Sequence, residues 1–133
     1  MQDGFVKVAA VTPKIRVADP NYNATVMIEQ IEMAVTAGAQ IIVFPELSVT
    51  GYTCGDLFLQ DRLLSAAKSA LNKIAASVKN AVVFVGFPLE TGQKLYNTAA
   101  VLNGGKIIGF VPKKNLPNYG ELCELRYFTP GPE

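Results

Sequence analysis

Apolar residues recur along the chain in two patterns that alternate, and these predict strands and helices in turn. β-Branched residues are dense over 5–11, and the run Ile41-Ile42-Val43-Phe44 is apolar throughout, which is typical of a strand buried on both faces. Between these runs, apolar positions step by four, three and four, which predicts a helix that Gly38 ends; the positions are Ala24, Ile28, Ile31 and Val35. The same spacing predicts a second helix further along, at Leu64, Ala67, Leu71, Ile74 and Val78.

The second half of the chain predicts strands over 81–87, 95–102 and 106–111. The last two are joined by Asn103-Gly104-Gly105, which favours a hairpin because glycine accepts positive φ. The predicted order is β-α-β-α-β-β-β, an α/β layer with parallel neighbours that finishes in an antiparallel hairpin. Prolines break the chain beyond Val111, and we expect this loop-rich ending to mark a truncated domain.

Composition narrows the classes of protein that remain. The chain has 133 residues, half of them apolar, with a net charge of +1 and no basic cluster, so we expect one domain that binds neither nucleic acid nor a membrane. No apolar stretch approaches the roughly 18 residues of a membrane span, and no secretory signal is visible, so we expect a cytoplasmic protein. The sequence has no histidine, which excludes a Ser-His-Asp triad and histidine-ligated metals within this chain.

Three charged residues are candidates for chemistry because of where they fall. Glu46 follows directly after an apolar strand, and Lys113 follows the strand that ends at Val111. Open α/β folds place their sites beyond the carboxyl ends of strands, so both residues stand where a site is expected. Glu121 follows eight residues after the lysine. Taken singly, each is equally typical of a turn carboxylate or a solvated surface charge.

Three ordered segments resemble the first half of a nitrilase-superfamily domain: VKVAAVTP, IIVFPELSVTGY and LYNTAAVLNGGKIIGFVPK. Two loops narrow the resemblance to the glutaminase domain at the N-terminus of bacterial glutamine-dependent NAD+ synthetases: GYTCGDLF and KKNLPNYGELCELRYF. The resemblance implies an α-β-β-α sandwich, of which residues 1–133 would form the first half as a mixed sheet with helices on one face. We expect the second half and the synthetase domain to lie outside this chain.

The resemblance also implies roles for single residues in a Glu-Lys-Cys triad. Glu46 matches the general base, and Lys113, rather than Lys114, matches the lysine that stabilises the tetrahedral intermediate. Glu121 matches a second acidic residue that supports the site, and Tyr119 matches the tyrosine that lines the glutamine pocket. Tyr52 either lines the same pocket or has only a packing role.

The nucleophile of this family lies some tens of residues beyond the lysine, in a segment that we expect to be missing here. A thiol with a pKa of about 8.5 needs a base before it becomes a good nucleophile at neutral pH. Neither Cys54, in the loop after Glu46, nor Cys123, in the loop after Lys113, stands where the family has its nucleophile. Both are therefore interpreted as incidental thiols, and we expect the chain alone to be inactive.

The function that the resemblance implies is hydrolysis of glutamine to glutamate and ammonia through a glutamyl thioester. The ammonia would serve a second domain that amidates an adenylated nicotinic acid dinucleotide with ATP and Mg²⁺, whereas no cofactor is expected in this domain. The expected partners are glutamine, the remainder of the synthetase chain and a second copy, because one sheet face has no cover within this chain. Two alternatives stay open: another nitrilase-branch amidohydrolase, such as an ω-amidase or a carbamoylase, or a non-catalytic binding or assembly module.

Overall fold

The computed structural model describes the backbone of residues 4–119 and 122–133 and the side chains of residues 4–118 and 124–133. Short 3-10 turns at Gly55–Leu59 and Glu124–Arg126 accompany the regular elements. Those elements, in chain order, are β1 (Val8–Ala10), α1 (Pro20–Thr36), β2 (Ile41–Val43), α2 (Asp61–Ser77), β3 (Val82–Thr91), β4 (Lys94–Asn103), β5 (Lys106–Pro112), β6 (Asn118–Tyr119) and β7 (Leu122–Cys123).

The first five strands form one mixed sheet in the order β1-β2-β3-β4-β5. β1 pairs with β2 and β2 with β3 in parallel, as the two helical crossovers require. β3, β4 and β5 then follow as antiparallel neighbours, and β6 and β7 form a separate small hairpin. The predicted α/β layer with its closing antiparallel strands is confirmed.

Both helices pack on one face of this sheet and form the main core with it. That face carries Ile42, Val83 and Leu102, which the strand register places in one row. The stripe predicted for α2 is buried from Ala67 to Val78. Within the part of the chain that the structure describes, no helix is long and apolar enough to cross a membrane.

The stripe predicted for α1 is partly wrong. Ala24 and Ile31 are buried, but Val35 is 49% exposed because Asn23 and Met27 occupy the inner face instead. The side chain of Asn23 is fully buried and makes three hydrogen bonds to backbone groups, namely the N–H and C=O of Arg16 and the C=O of Val49. A buried polar residue with all its partners satisfied is invisible to a search for apolar periodicity.

The predicted end of the third strand at residue 87 is also wrong. β3 continues to Thr91 and turns at Gly92 into β4, with Pro88 paired to Asn97. A proline inside a strand ordinarily argues against that strand, because it cannot donate to the ladder. Here β2 ends opposite Phe84, so one side of β3 has no neighbour in the sheet beyond that point and tolerates the proline.

Among the residues that the structure describes, no helix lies on the second face of the sheet. The register places Val43, Phe84 and Val101 in one row on this face, with Val8 and Val111 towards its two edges. Val8 and Val111 are more than half exposed. We call this surface, defined by these five residues, the open face.

Candidate active site

Glu46 lies in a compact turn that leaves the end of β2 and folds onto the open face. Leu47, the next residue, adopts the left-handed region with φ of 51° and is fully buried, so packing holds the chain in a conformation that non-glycine residues rarely take. The N–H of Gly51 donates to the carbonyl of Leu47 at 2.7 Å, which closes the turn. This geometry leaves the Glu46 side chain 41% exposed.

The turn that carries Glu46 packs directly against Gly86 of β3. Its N–H donates to the hydroxyl oxygen of Ser48, and its carbonyl accepts from the N–H of Val49 at 3.2 Å. A Cβ at this position would lie 2.7 Å from the carbonyl carbon of Glu46 and closer still to atoms of Pro45 and Leu47. The turn can therefore carry Glu46 over the sheet only because residue 86 has no side chain.

Lys113 reaches the same point from the end of β5. Its backbone N–H donates to the carbonyl of Asn97 at 2.7 Å, which continues the pairing of β4 with β5 by one residue. Its ammonium Nζ lies 2.7 Å from Oε1 of Glu46. The structure thus brings the two predicted residues into one ion pair, whereas the neighbouring Lys114 is exposed.

A second carboxylate, that of Glu124, completes the group around the lysine. Both of its oxygens lie 3.1 Å from Nζ of Lys113, and its side chain is only 4% exposed. The hydroxyl of Tyr52 donates to Oε2 of Glu124 at 3.1 Å. The side-chain amide of Asn97 donates to Oε1 of Glu46 at 2.5 Å and to Oε1 of Glu124 at 2.9 Å.

These contacts shift the pKa values of Lys113, Glu124 and Tyr52. Burial alone would lower the pKa of Lys113, but the hydrogen bonds and negative charges of Glu46 and Glu124 outweigh it and raise that pKa. Burial alone would raise the pKa of Glu124, but hydrogen bonds from Lys113 and Asn97 and the lysine charge lower it. Burial and the adjacent Glu124 raise the pKa of Tyr52. These shifts favour the charged forms of Lys113 and Glu124 and the neutral phenol of Tyr52.

Two of the predicted site residues cannot be placed. Glu121 lies outside the described residues, and so does the side chain of Tyr119, so both roles stay predictions. The supporting carboxylate that the structure does place beside Lys113 is Glu124, which the sequence analysis did not single out. The hydroxyl of Tyr52 donates to Glu124, and its ring packs against the cluster around Leu47 and Phe58, so a packing role is observed, whereas the lining of a glutamine pocket by Tyr52 stays a prediction.

Glu124 and Asn97 were missed for different reasons. Two glutamates stand three residues apart in the loop after Lys113, and spacing alone does not distinguish them. The distinguishing signal is the following Tyr127-Phe128: Phe128 is buried against Phe58, with ring centroids 5.0 Å apart, and its N–H donates to the carbonyl of Glu124. For Asn97, the signal is a polar residue on the face of β4 that otherwise carries Ala99 and Val101.

Cys54 is a packing residue. Its thiol is buried and donates to the carbonyls of Thr50 and Gly51 at 3.2 and 3.5 Å. Burial raises the pKa of this thiol, which opposes the thiolate form that a nucleophile needs. This agrees with the interpretation of Cys54 as an incidental thiol, whereas the side chain of Cys123 lies outside the described residues.

A groove of about 470 Å³ runs from the charged group onto the open face. Its floor is apolar and includes Val43, Phe84 and Val111, and its end is formed by Glu46, Asn97 and Lys113. An apolar groove that ends in a few convergent polar groups is the usual form of a small-molecule site. Among the residues that the structure describes, no three His, Cys, Asp or Glu side chains gather as they would around a metal ion.

Residues 7–133 match the sequence pattern of the carbon-nitrogen hydrolase family. The chain therefore belongs to this family of enzymes that act on carbon-nitrogen bonds. Among curated relatives, the glutamine-dependent NAD(+) synthetase of Mycobacterium tuberculosis is 40% identical over 132 residues. The match covers 98% of this chain and 19% of that protein. The synthetase of Acinetobacter baylyi is 39% identical, with 98% of this chain and 24% of that protein covered. The chain therefore spans about a fifth to a quarter of these relatives' length.

Solved structures show the same fold. The glutamine-dependent NAD(+) synthetase of Cytophaga hutchinsonii superposes with a TM-score of 0.91 at 32% identity, over 96% of this chain and 22% of that one. An amidase from Nesterenkonia sp. superposes with a TM-score of 0.81 at 25% identity, over all of this chain and 51% of that one. The predicted nitrilase-type architecture, with a mixed sheet and helices on one face, is confirmed.

Proposed function

We propose that this chain is the N-terminal part of the glutaminase domain of a glutamine-dependent NAD+ synthetase. The observation that carries the proposal is the group in which Glu46 and Lys113, at the ends of β2 and β5, meet Glu124 from the turn Glu124–Arg126. The chain that holds this group is 40% identical to such a synthetase over 98% of the chain. The reaction proposed is hydrolysis of the glutamine side-chain amide to glutamate and ammonia.

Each member of the group has a distinct task in that reaction. Glu46 takes the proton of a cysteine thiol, and the resulting thiolate attacks the amide carbon of glutamine. The ammonium of Lys113, held between two carboxylates, lies where the oxyanion of the tetrahedral intermediate forms. Glu46 then returns the proton to the amide nitrogen, which leaves as ammonia, and water hydrolyses the glutamyl thioester to glutamate and the free thiol. We assign the attacking thiol to the remainder of the proposed glutaminase domain, and not to Cys54, whose thiol donates to backbone carbonyls.

The second half of the proposed reaction belongs to another domain. There the ammonia amidates nicotinic acid adenine dinucleotide with ATP and Mg²⁺, which would also place the protein in the cytoplasm with its substrates. Because this step belongs to that other domain, we assign no part of it to the residues of this chain.

A simple amidase is the second candidate, favoured by the match to the Nesterenkonia amidase over the whole chain. The two functions differ in substrate. A glutaminase must accept an amide that carries an α-amino acid at its far end, whereas a simple amidase accepts short aliphatic amides such as acetamide.

The test joins residues 1–133 to the remainder of the Cytophaga hutchinsonii synthetase, which supplies a downstream segment of the same fold. We expect this hybrid to release ammonia from glutamine and not from acetamide, and to lose this activity with Glu46→Gln or Lys113→Met. Glu32→Gln on the exposed side of α1 is the matched control and should be silent. The 133-residue chain alone should release no ammonia. Turnover by that chain that survives Cys54→Ser and Cys123→Ser together would refute the triad.

We further propose that the remainder of the synthetase chain covers the open face and that, in its absence, two copies associate through it. The apolar side chains of Val8, Val43 and Val111 are exposed there, and apolar surface left in water is unfavourable by about 25 cal/mol per Å². Light scattering at tens of micromolar should therefore detect a homo-oligomer of the 133-residue chain. A monodisperse monomer would count against this covering role.

A further inference from the structure

Asn97 has a position in the site that neither a packing role nor a strand role explains. It stands on β4 with its side chain on the same face as Ala99 and Val101, and it is only 2% exposed. Its amide nitrogen donates to Glu46 and to Glu124, which are carried by two separate loops. Its backbone carbonyl accepts the N–H of Lys113. One strand residue thus contacts all three charged members of the group.

The contacts form a closed ring of four polar atoms. Nδ2 of Asn97 and Nζ of Lys113 both lie within hydrogen-bond distance of the same two oxygens, Oε1 of Glu46 and Oε1 of Glu124. Lys113 is 33% exposed, whereas the asparagine side of the ring is buried. The asparagine therefore supplies a fixed neutral anchor, and the lysine supplies the charge.

The ring leaves one oxygen of Glu46 unused. Asn97 and Lys113 both donate to Oε1 of Glu46. Among the described residues, no donor lies within hydrogen-bond distance of Oε2. A general base needs a free lone pair within reach of the proton that it takes. With Oε1 committed to two donors, Oε2 is the oxygen left for a thiol proton.

We propose that Asn97 is a positioning residue: its amide bridges the two carboxylates around Lys113 and turns Oε2 of Glu46 towards the groove as the proton acceptor. The second half of this statement rests on the proposed function, since it assumes that Glu46 acts as the base. The first half concerns only the geometry of the ring. Besides Asn97 itself, the groups that face Glu124 within the described part of the chain are Glu46, Lys113 and the Tyr52 hydroxyl.

The first experiment tests the ring in the 133-residue chain itself. The ¹³C carboxyl signal of Glu124 is titrated in the unsubstituted chain, in Asn97→Leu and in the size-matched Asn97→Asp, which replaces the donor by an acceptor. We expect the midpoint to rise by at least about half a pH unit in both variants, roughly a threefold change in proton affinity, because the carboxylate loses a hydrogen bond to its charged form.

Thr98→Val is the matched control for loss of a buried hydrogen bond in the same strand. Its hydroxyl is buried and donates to the carbonyl of Phe87 at 2.7 Å, away from the ring. This variant should lose stability and leave the Glu124 midpoint unchanged. An unchanged midpoint in both Asn97 variants, or an equal shift in Thr98→Val, would overturn the proposal.

The second experiment tests the consequence for catalysis in the hybrid with the Cytophaga hutchinsonii synthetase. We expect Asn97→Leu to lower kcat for glutamine by ten-fold or more, to leave KM nearly unchanged and to move the acid limb of kcat/KM to higher pH, because Asn97 is only 2% exposed and acts by orienting the base. A rise in KM alone, or an unmoved acid limb, would overturn it. If the unsubstituted hybrid shows no glutaminase activity, the proposed function fails, and the Glu124 titration decides the role of Asn97 in the ring.

Discussion

The contact between Gly86 and the turn that carries Glu46 predicts the effect of a single methyl group. In Gly86→Ala, the new carbon would lie 2.7 Å from the carbonyl carbon of Glu46 and nearer to the nitrogen of Leu47 and the oxygen of Pro45. These are backbone atoms, so no side chain can rotate out of the way. The backbone of Gly86 is outside the left-handed region, which makes the steric contact the reason for glycine at this position.

The expected loss of stability depends on how far the turn can move away from the new methyl group. Forcing an extra methyl group into a packed site typically costs about 1–3 kcal/mol, through displaced side chains and backbone. Here the obstructing turn is itself held by hydrogen bonds from Gly51 and Val49 and by the burial of Leu47, so we expect about 3 kcal/mol. That is a large share of the roughly 5–15 kcal/mol by which a domain is stable.

Urea unfolding of the 133-residue chain measures this change, and Gly109→Ala is the matched control. Gly109 lies on β5 of the same sheet, and a Cβ there would meet no atom within 4 Å. The control should be neutral or stabilising by about 0.4–1 kcal/mol, because alanine restricts the unfolded chain. A free energy of unfolding for Gly86→Ala within about 0.5 kcal/mol of the unsubstituted chain, well below the expected overpacking cost, would refute the argument that the turn rests on this glycine.

Three further outcomes follow from the described contacts. Asn23→Ala should lower the free energy of unfolding by about 2 kcal/mol, because it leaves the buried carbonyl of Val49 and two part-buried backbone groups of Arg16 without their partner, whereas the exposed Asn21→Ala should be close to neutral in the same urea titration. Glu124→Gln should lower the pKa of Lys113, measured from its ¹³Cε signal, and an unchanged pKa would contradict the ion-pair assignment. Because folding lowers the pKa of Glu124, the stabilisation that this residue provides should be present above about pH 4.3 and be lost as the pH falls through the pKa of the folded state. Because folding raises the pKa of Lys113, the stabilisation from the lysine should be lost only at alkaline pH, above about 10.4. Urea midpoints measured across pH should show the acid loss in the parent chain and not in Glu124→Gln.

The sequence predicts the layered fold well because its signals are local. Strands and helices are specified by apolar spacing over 4–17 residues, and the hairpin at Gly104-Gly105 is specified by its turn residues. The extension of β3 through Pro88 could not be predicted in this way, because it depends on where β2 stops in three dimensions. The rotated face of α1 was missed for a similar reason, since Asn23 is buried only because a distant loop supplies its partners.

The ion pair of the candidate site could be predicted from the sequence, whereas the residues that hold this pair in place could not. Glu46 and Lys113 each follow an apolar strand, and strand ends meet at one edge of a sheet, so their meeting follows from the topology. The choice of Glu124 as the second carboxylate depends on the packing of Phe128 behind it, which no spacing rule contains. The role of Asn97 could not be predicted because its two partners, Glu46 and Glu124, lie on separate loops that meet only in the folded chain.

The open face and the charged group are parts of one surface, and this constrains how the proposed reaction is completed. The groove along that face ends at Glu46, Asn97 and Lys113, so whatever covers the exposed valines also closes the groove over the charges. On the side away from the groove, Asn97 donates to both carboxylates and Tyr52 donates to Glu124. Within the described part of the chain, the groove on the open face offers a thiol a path to Glu46. Under the proposed function, one packing event would both remove apolar surface from water and deliver the nucleophile to its base.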